Sequence, residues 1–179
     1  SDHPLTILYS VGGAGAQTDI GIKIAKKLKD KIKKGEVRLI LSAGIRENVK
    51  HFFEQELKDI KNIEIIYEKD FETYFDSFNK ALRKTDILWT KPSELSFYSM
   101  LGIPIIIAPE IGSQEKFNKR WIENSGFGIE AQDLEYIDDW LFDWINKGYF
   151  AEMAMSGFIK GDRNAIKNIK KYITKCSGY

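Results

Sequence analysis

Between residues 5 and 129, short and nearly unbroken apolar runs alternate with longer amphipathic stretches, and this alternation constrains the fold more than any other feature. The apolar runs predict strands over residues 5–11, 37–42, 63–67, 87–90, 103–108 and 127–129. Between them, a helix is predicted from Thr18, with Ile20, Ile24, Leu28 and Ile32 on one face. Further helices are predicted over 47–60, 71–82, 93–101 (capped by Ser93) and 115–124, and the remainder reads as helical. Strands apolar on both faces need helices on both sides, as parallel sheets have. The expectation is an α/β fold: a doubly wound, Rossmann-like parallel sheet of about six strands, in a single domain over residues 1–179.

Composition narrows the function classes. Of the 179 residues, 43% are apolar and 30% charged, a profile that excludes disorder and suits a sizeable core. The net charge of +1 offers no basic field for nucleic acid. Cys176 stands alone, which removes disulfides and thiolate zinc sites, and His3 and His51 are too few and too far apart to suggest a metal centre. No apolar run reaches the roughly 20 residues that span a bilayer. The lysines between Lys23 and Lys34 fall around the solvated side of the first helix, so they read as surface rather than as a membrane or nucleic-acid site. Ile137, Trp140, Leu141, Trp144 and Ile145 read as a core stripe at helical spacing, and His51, Trp89, Trp121 and Cys176 as structural residues.

Doubly wound sheets bind ligands beyond the carboxyl ends of their strands. Five segments fall there: residues 12–18, 42–46, 68–71, 90–94 and 109–118. The first, Gly12-Gly13-Ala14-Gly15-Ala16-Gln17-Thr18, joins a strand to a helix, where glycines admit close approach and free amides favour an anion. It lacks the Gly-Lys-Ser/Thr of a Walker loop. The dinucleotide fingerprint is half present, with Thr18 at the third glycine position and Ser42-Ala43-Gly44 where an acid would hold a ribose. Phe71 begins the helix after the third strand, where an aromatic can stack on a nucleobase. Phe71, Phe75 and Phe78 share a helical face, so at least two of the three rings are expected to pack. Two further helix starts converge on the same crevice and bring Lys91, Ser93, Gln114, Glu115 and Asn118 to it.

In order, the Gly-rich loop, Thr90-Lys91-Pro92, Gly102-Ile103-Pro104 and Gly112-Ser113-Gln114-Glu115-Lys116-Phe117-Asn118, followed by Ser125-Gly126, give the chain a family likeness. It resembles the carboxyl-terminal, donor-binding domain of GT-B glycosyltransferases, in the branch of the peptidoglycan N-acetylglucosamine transferase and the diacylglycerol sugar transferases. The resemblance implies a UDP-sugar as substrate, no cofactor and no metal. It lays Gly12, Gly13, Ala14, Gly15 and the Thr-Lys-Pro loop against the diphosphate, and Gln114 and Glu115 against the sugar. One departure stands out. Phe97 occupies the position of the family glutamate that grips the ribose, leaving Glu94, one turn earlier, as the nearby carboxylate.

The resemblance also implies a missing amino-terminal acceptor domain or partner subunit, and no transfer by this chain alone. The start at Ser1-Asp2-His3-Pro4 reads as a cut at an interdomain linker. Helices over 149–179 would cross to the absent half, leaving Phe150, Met153, Met155 and Phe158 partly exposed. The implied location is cytoplasmic, peripheral to the inner face of a membrane through that half. Three alternatives stay open at this point: a UDP-sugar epimerase of the same fold, a nicotinamide-dinucleotide domain, and a non-catalytic nucleotide-binding scaffold.

Overall fold

In the computed structural model, six strands, β1 (Leu5–Ser10), β2 (Val37–Gly44), β3 (Ile63–Tyr67), β4 (Ile87–Thr90), β5 (Ile105–Ile107) and β6 (Gly128–Glu130), form one parallel sheet in the order β3-β2-β1-β4-β5-β6. The structure describes residues 3–10, 17–91, 95–109 and 113–161, without the side chains of 95–97 and 113–115. The helices are α1 (Thr18–Lys27), α2 (Lys29–Lys33), α3 (Glu47–Glu56), α4 (Phe71–Leu82), α5 (Leu95–Met100), α6 (Ser113–Ser125), α7 (Ile137–Asn146) and α8 (Tyr149–Lys160). This is the doubly wound α/β fold that the alternation predicts.

Side-chain alternation along each strand explains why both faces are covered. Ile7, Tyr9, Leu39, Leu41, Ile87, Trp89 and Ile106 point to one face, against Ile24, Leu28, Ile32, Phe53, Trp140 and Leu141 of α1–α3 and α7. Leu8, Ile40, Leu88, Ile105 and Ile107 point to the other, against Phe78, Leu82 and Ile122 of α4 and α6. The stripe of α7 is core, as its spacing implies.

Local chemistry moves several boundaries. The first helix breaks at Leu28 (φ −89°, ψ 8°), yet Leu28 stays buried, so the Ile24-Leu28-Ile32 seam runs through the break. β5 is shorter than its apolar run because proline 104 has no N–H for the ladder; its carbonyl accepts from Leu88 instead. Trp121, expected to be structural, is 41% exposed on α6, although its ring meets Phe127 edge-on. The lysines of α1 do line a solvated face. Lys23 and Lys27 each lie 2.6 Å from Glu135, and their hydrogen bonds hold that carboxyl down at about 2.

α8 packs against α5 and α7. Its close approach depends on Gly157, where an added Cβ would stand 2.3 Å from the carbonyl oxygen of Ser99. Phe150 and Met153 are buried here, contrary to the exposure expected of them, because both turn inward onto the core under α7. Met155 and Phe158 point outward and are exposed. Residues 162–179, Cys176 among them, lie outside the described residues. Among the described residues no helix is long and apolar enough to cross a membrane.

Candidate functional site

The strand order reverses between β1 and β4: chain direction runs outward from β1 through β2 to β3, then returns to β4 and runs outward to β6. The helix after β1 covers one face and the helix after β4 the other, so the two connections diverge and leave a crevice at the carboxyl ends of these strands.

Register fixes what lines it. Ser42, Ser10, Thr90 and Ile107 form one row across β2, β1, β4 and β5. Tyr74 of α4 meets the Ser42 hydroxyl at 2.9 Å. Lys91 follows Thr90 and is only 9% exposed, so its charge sits at the reversal point rather than in bulk water. Glu68, at the end of β3, accepts from Ser77 at 2.7 Å, and Asp70 caps α4 by accepting from the Thr73 amide at 2.9 Å. The Thr73 amide and hydroxyl, both donating to Asp70, hold its carboxyl below the usual carboxylate range.

The predicted residues divide into three groups. Lys91, just past β4, is buried beside the strand reversal. The first turn of α6 carries Gln114 and Glu115 to the same edge of the sheet, although their side chains are not described; Asn118, half-buried, lies one turn further on. Gly12, Gly13, Ala14, Gly15, Ser93 and Glu94 lie outside the described residues, as does the Phe97 side chain. Chain connectivity still puts 11–16 between Ser10 and Gln17, and 92–94 directly after Lys91.

Phe71 is set apart, since β2 and β1 lie between its strand and β4, a gap of about three strand spacings. It is 62% exposed and Phe75 55% exposed, so the expectation that at least two of the three rings pack is overturned. Only Phe78 reaches the core. Phe71 and Phe75 stack on each other, with centroids 6.4 Å apart and planes at 27°.

Sequence reasoning missed Gln17. This residue precedes α1 in a left-handed conformation (φ 69°, ψ 25°) and accepts at its carbonyl from Tyr9 Oη at 2.7 Å. Its Nε2 donates to the carbonyl of Pro109, just past β5. Because β4 lies between β1 and β5, this bond bridges the turns on either side of β4 at the mouth of the crevice. The polar residue at the end of a glycine-rich turn was the signal available. For a residue other than glycine this backbone costs about 1–2 kcal/mol.

Two helices of useful length, α1 (10 residues) and α6 (13 residues), start at this edge, where unpaired amides and the helix dipole favour negative charge. With Lys91 and the hydroxyl row, the crevice suits a phosphorylated ligand bearing hydroxyls. Among the described residues no group of three His, Cys, Asp or Glu could hold a metal ion.

Comparison with solved structures agrees with this architecture. MurG of Acinetobacter baumannii superposes with a TM-score of 0.75 at 17% identity, over 98% of this chain and 50% of that one. UDP-GlcNAc 2-epimerase of Neisseria meningitidis, bound to UDP-GlcNAc, gives 0.65 at 18% identity, over 98% and 45%. WaaG, a glycosyltransferase involved in lipopolysaccharide biosynthesis, gives 0.64 at 12% identity, over 92% and 44%. The chain thus has the fold of one half of a GT-B protein, and spans about half the length of the structures it matches. Comparison with curated protein sequences finds no match. The model of the family described as a domain of unknown function, DUF6938, matches residues 1–82 and 46–154, and the chain belongs to that family.

Proposed function

We propose that this chain is the donor-binding half of a metal-independent glycosyltransferase, holding a UDP-sugar in the crevice between β1 and β4. The observation that carries the reading is the strand reversal itself, which brings the end of β1, buried Lys91 and the start of α6 to one edge of the sheet. The diphosphate lies against the turn of residues 12–15 and Lys91, with Ser93 and Glu94 beside it and the sugar under Gln114, Glu115 and Asn118. As the glycosidic bond to phosphate breaks, negative charge grows on the departing UDP. Fixed amides and the Lys91 ammonium stabilise that charge without reorganising. The acceptor hydroxyl and the base that deprotonates it come from the second half, so this chain alone transfers no sugar.

Epimerases share the fold, but their chemistry needs a histidine and carboxylates at the sugar. Here His3 bonds Asp86 at the amino edge of the sheet (3.1 Å), and His51 lies on the exposed surface of α3 beside Glu54 (3.2 Å). Neither faces the crevice, which favours transfer over epimerisation.

Lys91→Met tests the reading, since it keeps the aliphatic stem and removes the charge. Loss of a hydrogen bond to a charged group costs about 1.5–3 kcal/mol, so UDP affinity is expected to fall roughly ten- to hundredfold in a calorimetric titration. Undiminished affinity in a folded variant places the diphosphate elsewhere.

A further inference from the structure

Gln17 departs twice from what folding alone favours. Its backbone is left-handed in a stretch where glycine, which adopts that conformation freely, occurs at 12, 13 and 15. Asn62, the other such non-glycine residue among those described, is an exposed asparagine before β3, where its side chain tolerates the conformation. Gln17 has no such excuse. Its Oε1 is also buried with no hydrogen-bond partner among the described residues. The one other buried polar side-chain atom in that position, Trp89 Nε1, belongs to the core face of the sheet rather than to the crevice.

The bonds that Gln17 does make fix its orientation. Tyr9 Oη and the amide of Ile20 both donate to its carbonyl, which pins the backbone. The Pro109 carbonyl can only accept, so the carboxamide must face it with nitrogen, and Oε1 is left as a buried acceptor. A pinned backbone therefore carries a fixed amide whose buried oxygen lacks a donor, between the ends of β1 and β5. Strained backbone persists where the surrounding structure holds it, and it gathers at ligand sites.

We propose that Gln17 is a specificity-determining residue, whose Oε1 accepts a hydrogen bond from a hydroxyl or N–H of the ligand. The ligand class rests on the nucleotide-sugar reading above. The diphosphate of a nucleotide-sugar, esterified at both ends, carries no proton to donate at neutral pH, so Gln17 selects for the sugar or nucleoside portion and contributes nothing to the phosphates.

The test titrates UDP-N-acetylglucosamine and inorganic pyrophosphate against the unaltered chain, Gln17→Gly and Gln17→Asn. Glycine relieves the backbone and asparagine tolerates it, while asparagine is one methylene too short to reach Pro109. Both variants are expected to melt at or above the unaltered temperature, yet to bind UDP-N-acetylglucosamine about tenfold more weakly, the scale of one lost hydrogen bond, and pyrophosphate within about twofold of unaltered. Unchanged UDP-N-acetylglucosamine affinity in either folded variant overturns the proposal, as does an equal loss for both ligands, which makes Gln17 a prop for the turn. If the unaltered chain binds neither ligand, the nucleotide-sugar reading itself falls, and this proposal with it.

Discussion

Trp89→Ala is expected to cost about 3–5 kcal/mol of folding stability, the range for truncating a large core aromatic. Trp89 is 0% exposed at the middle of the sheet, edge-on to Tyr9 (6.4 Å) and to Trp140 (5.7 Å), and through Trp140 it reaches Trp144 and Phe150. Alanine leaves a void that none of these rigid rings can fill without leaving its own contacts. Trp89→Phe is expected to cost less than half as much. Its indole N–H makes no hydrogen bond among the described residues, so phenylalanine loses no bond and removes a buried orphan donor. Denaturant unfolding of both variants checks this; equal losses would reveal a bonding partner for Nε1.

Gly157→Val is expected to be the most damaging surface-helix substitution. A Cβ there would stand 2.3 Å from the Ser99 carbonyl oxygen and 3.1 Å from its carbon, both backbone atoms that cannot turn aside. α8 must lift off α5, and overpacking of this kind costs about 1–3 kcal/mol, occasionally more. For a domain of this size the melting temperature falls by about 2–4 °C per kcal/mol. Gly148→Ala, whose added Cβ meets nothing within 4 Å, serves as the control, with only its left-handed backbone (φ 79°) to strain. A Gly157→Val variant as stable as the unaltered chain would mean that α8 does not pack on α5 in solution.

The fold was legible because its signal is periodic. Three elements, β3, β4 and α4, fall where apolar spacing puts them, to the residue. Boundaries failed where a single residue outweighs the period, as at Leu28 and proline 104. Strand order was not legible, since nothing in an apolar run names its neighbour; without it the crevice could be placed at the strand ends but not between β1 and β4. At the strand reversal, position was legible where an apolar run ends, as at Lys91 after β4. It was not where a side chain acts through a long-range contact, as Gln17 does with Pro109, 92 residues on. Phe75 shows the converse, a residue with core spacing that is 55% exposed while its neighbour Tyr74 packs on the core.

The central claim, that the crevice at the strand reversal holds a UDP-sugar, is tested most directly by calorimetric titration of the chain with UDP, NAD and ATP under identical conditions. On the proposed reading, a donor-binding half titrated alone is expected to bind UDP weakly, with Kd of about 0.1–1 mM, or roughly 4–5.5 kcal/mol. NAD and ATP should bind more weakly still, because the turn has no Walker lysine and β2 ends in Ser42-Ala43-Gly44 without a ribose-binding acid. UDP tighter than both is expected; NAD or ATP tighter than UDP would show that the crevice is built for another ligand.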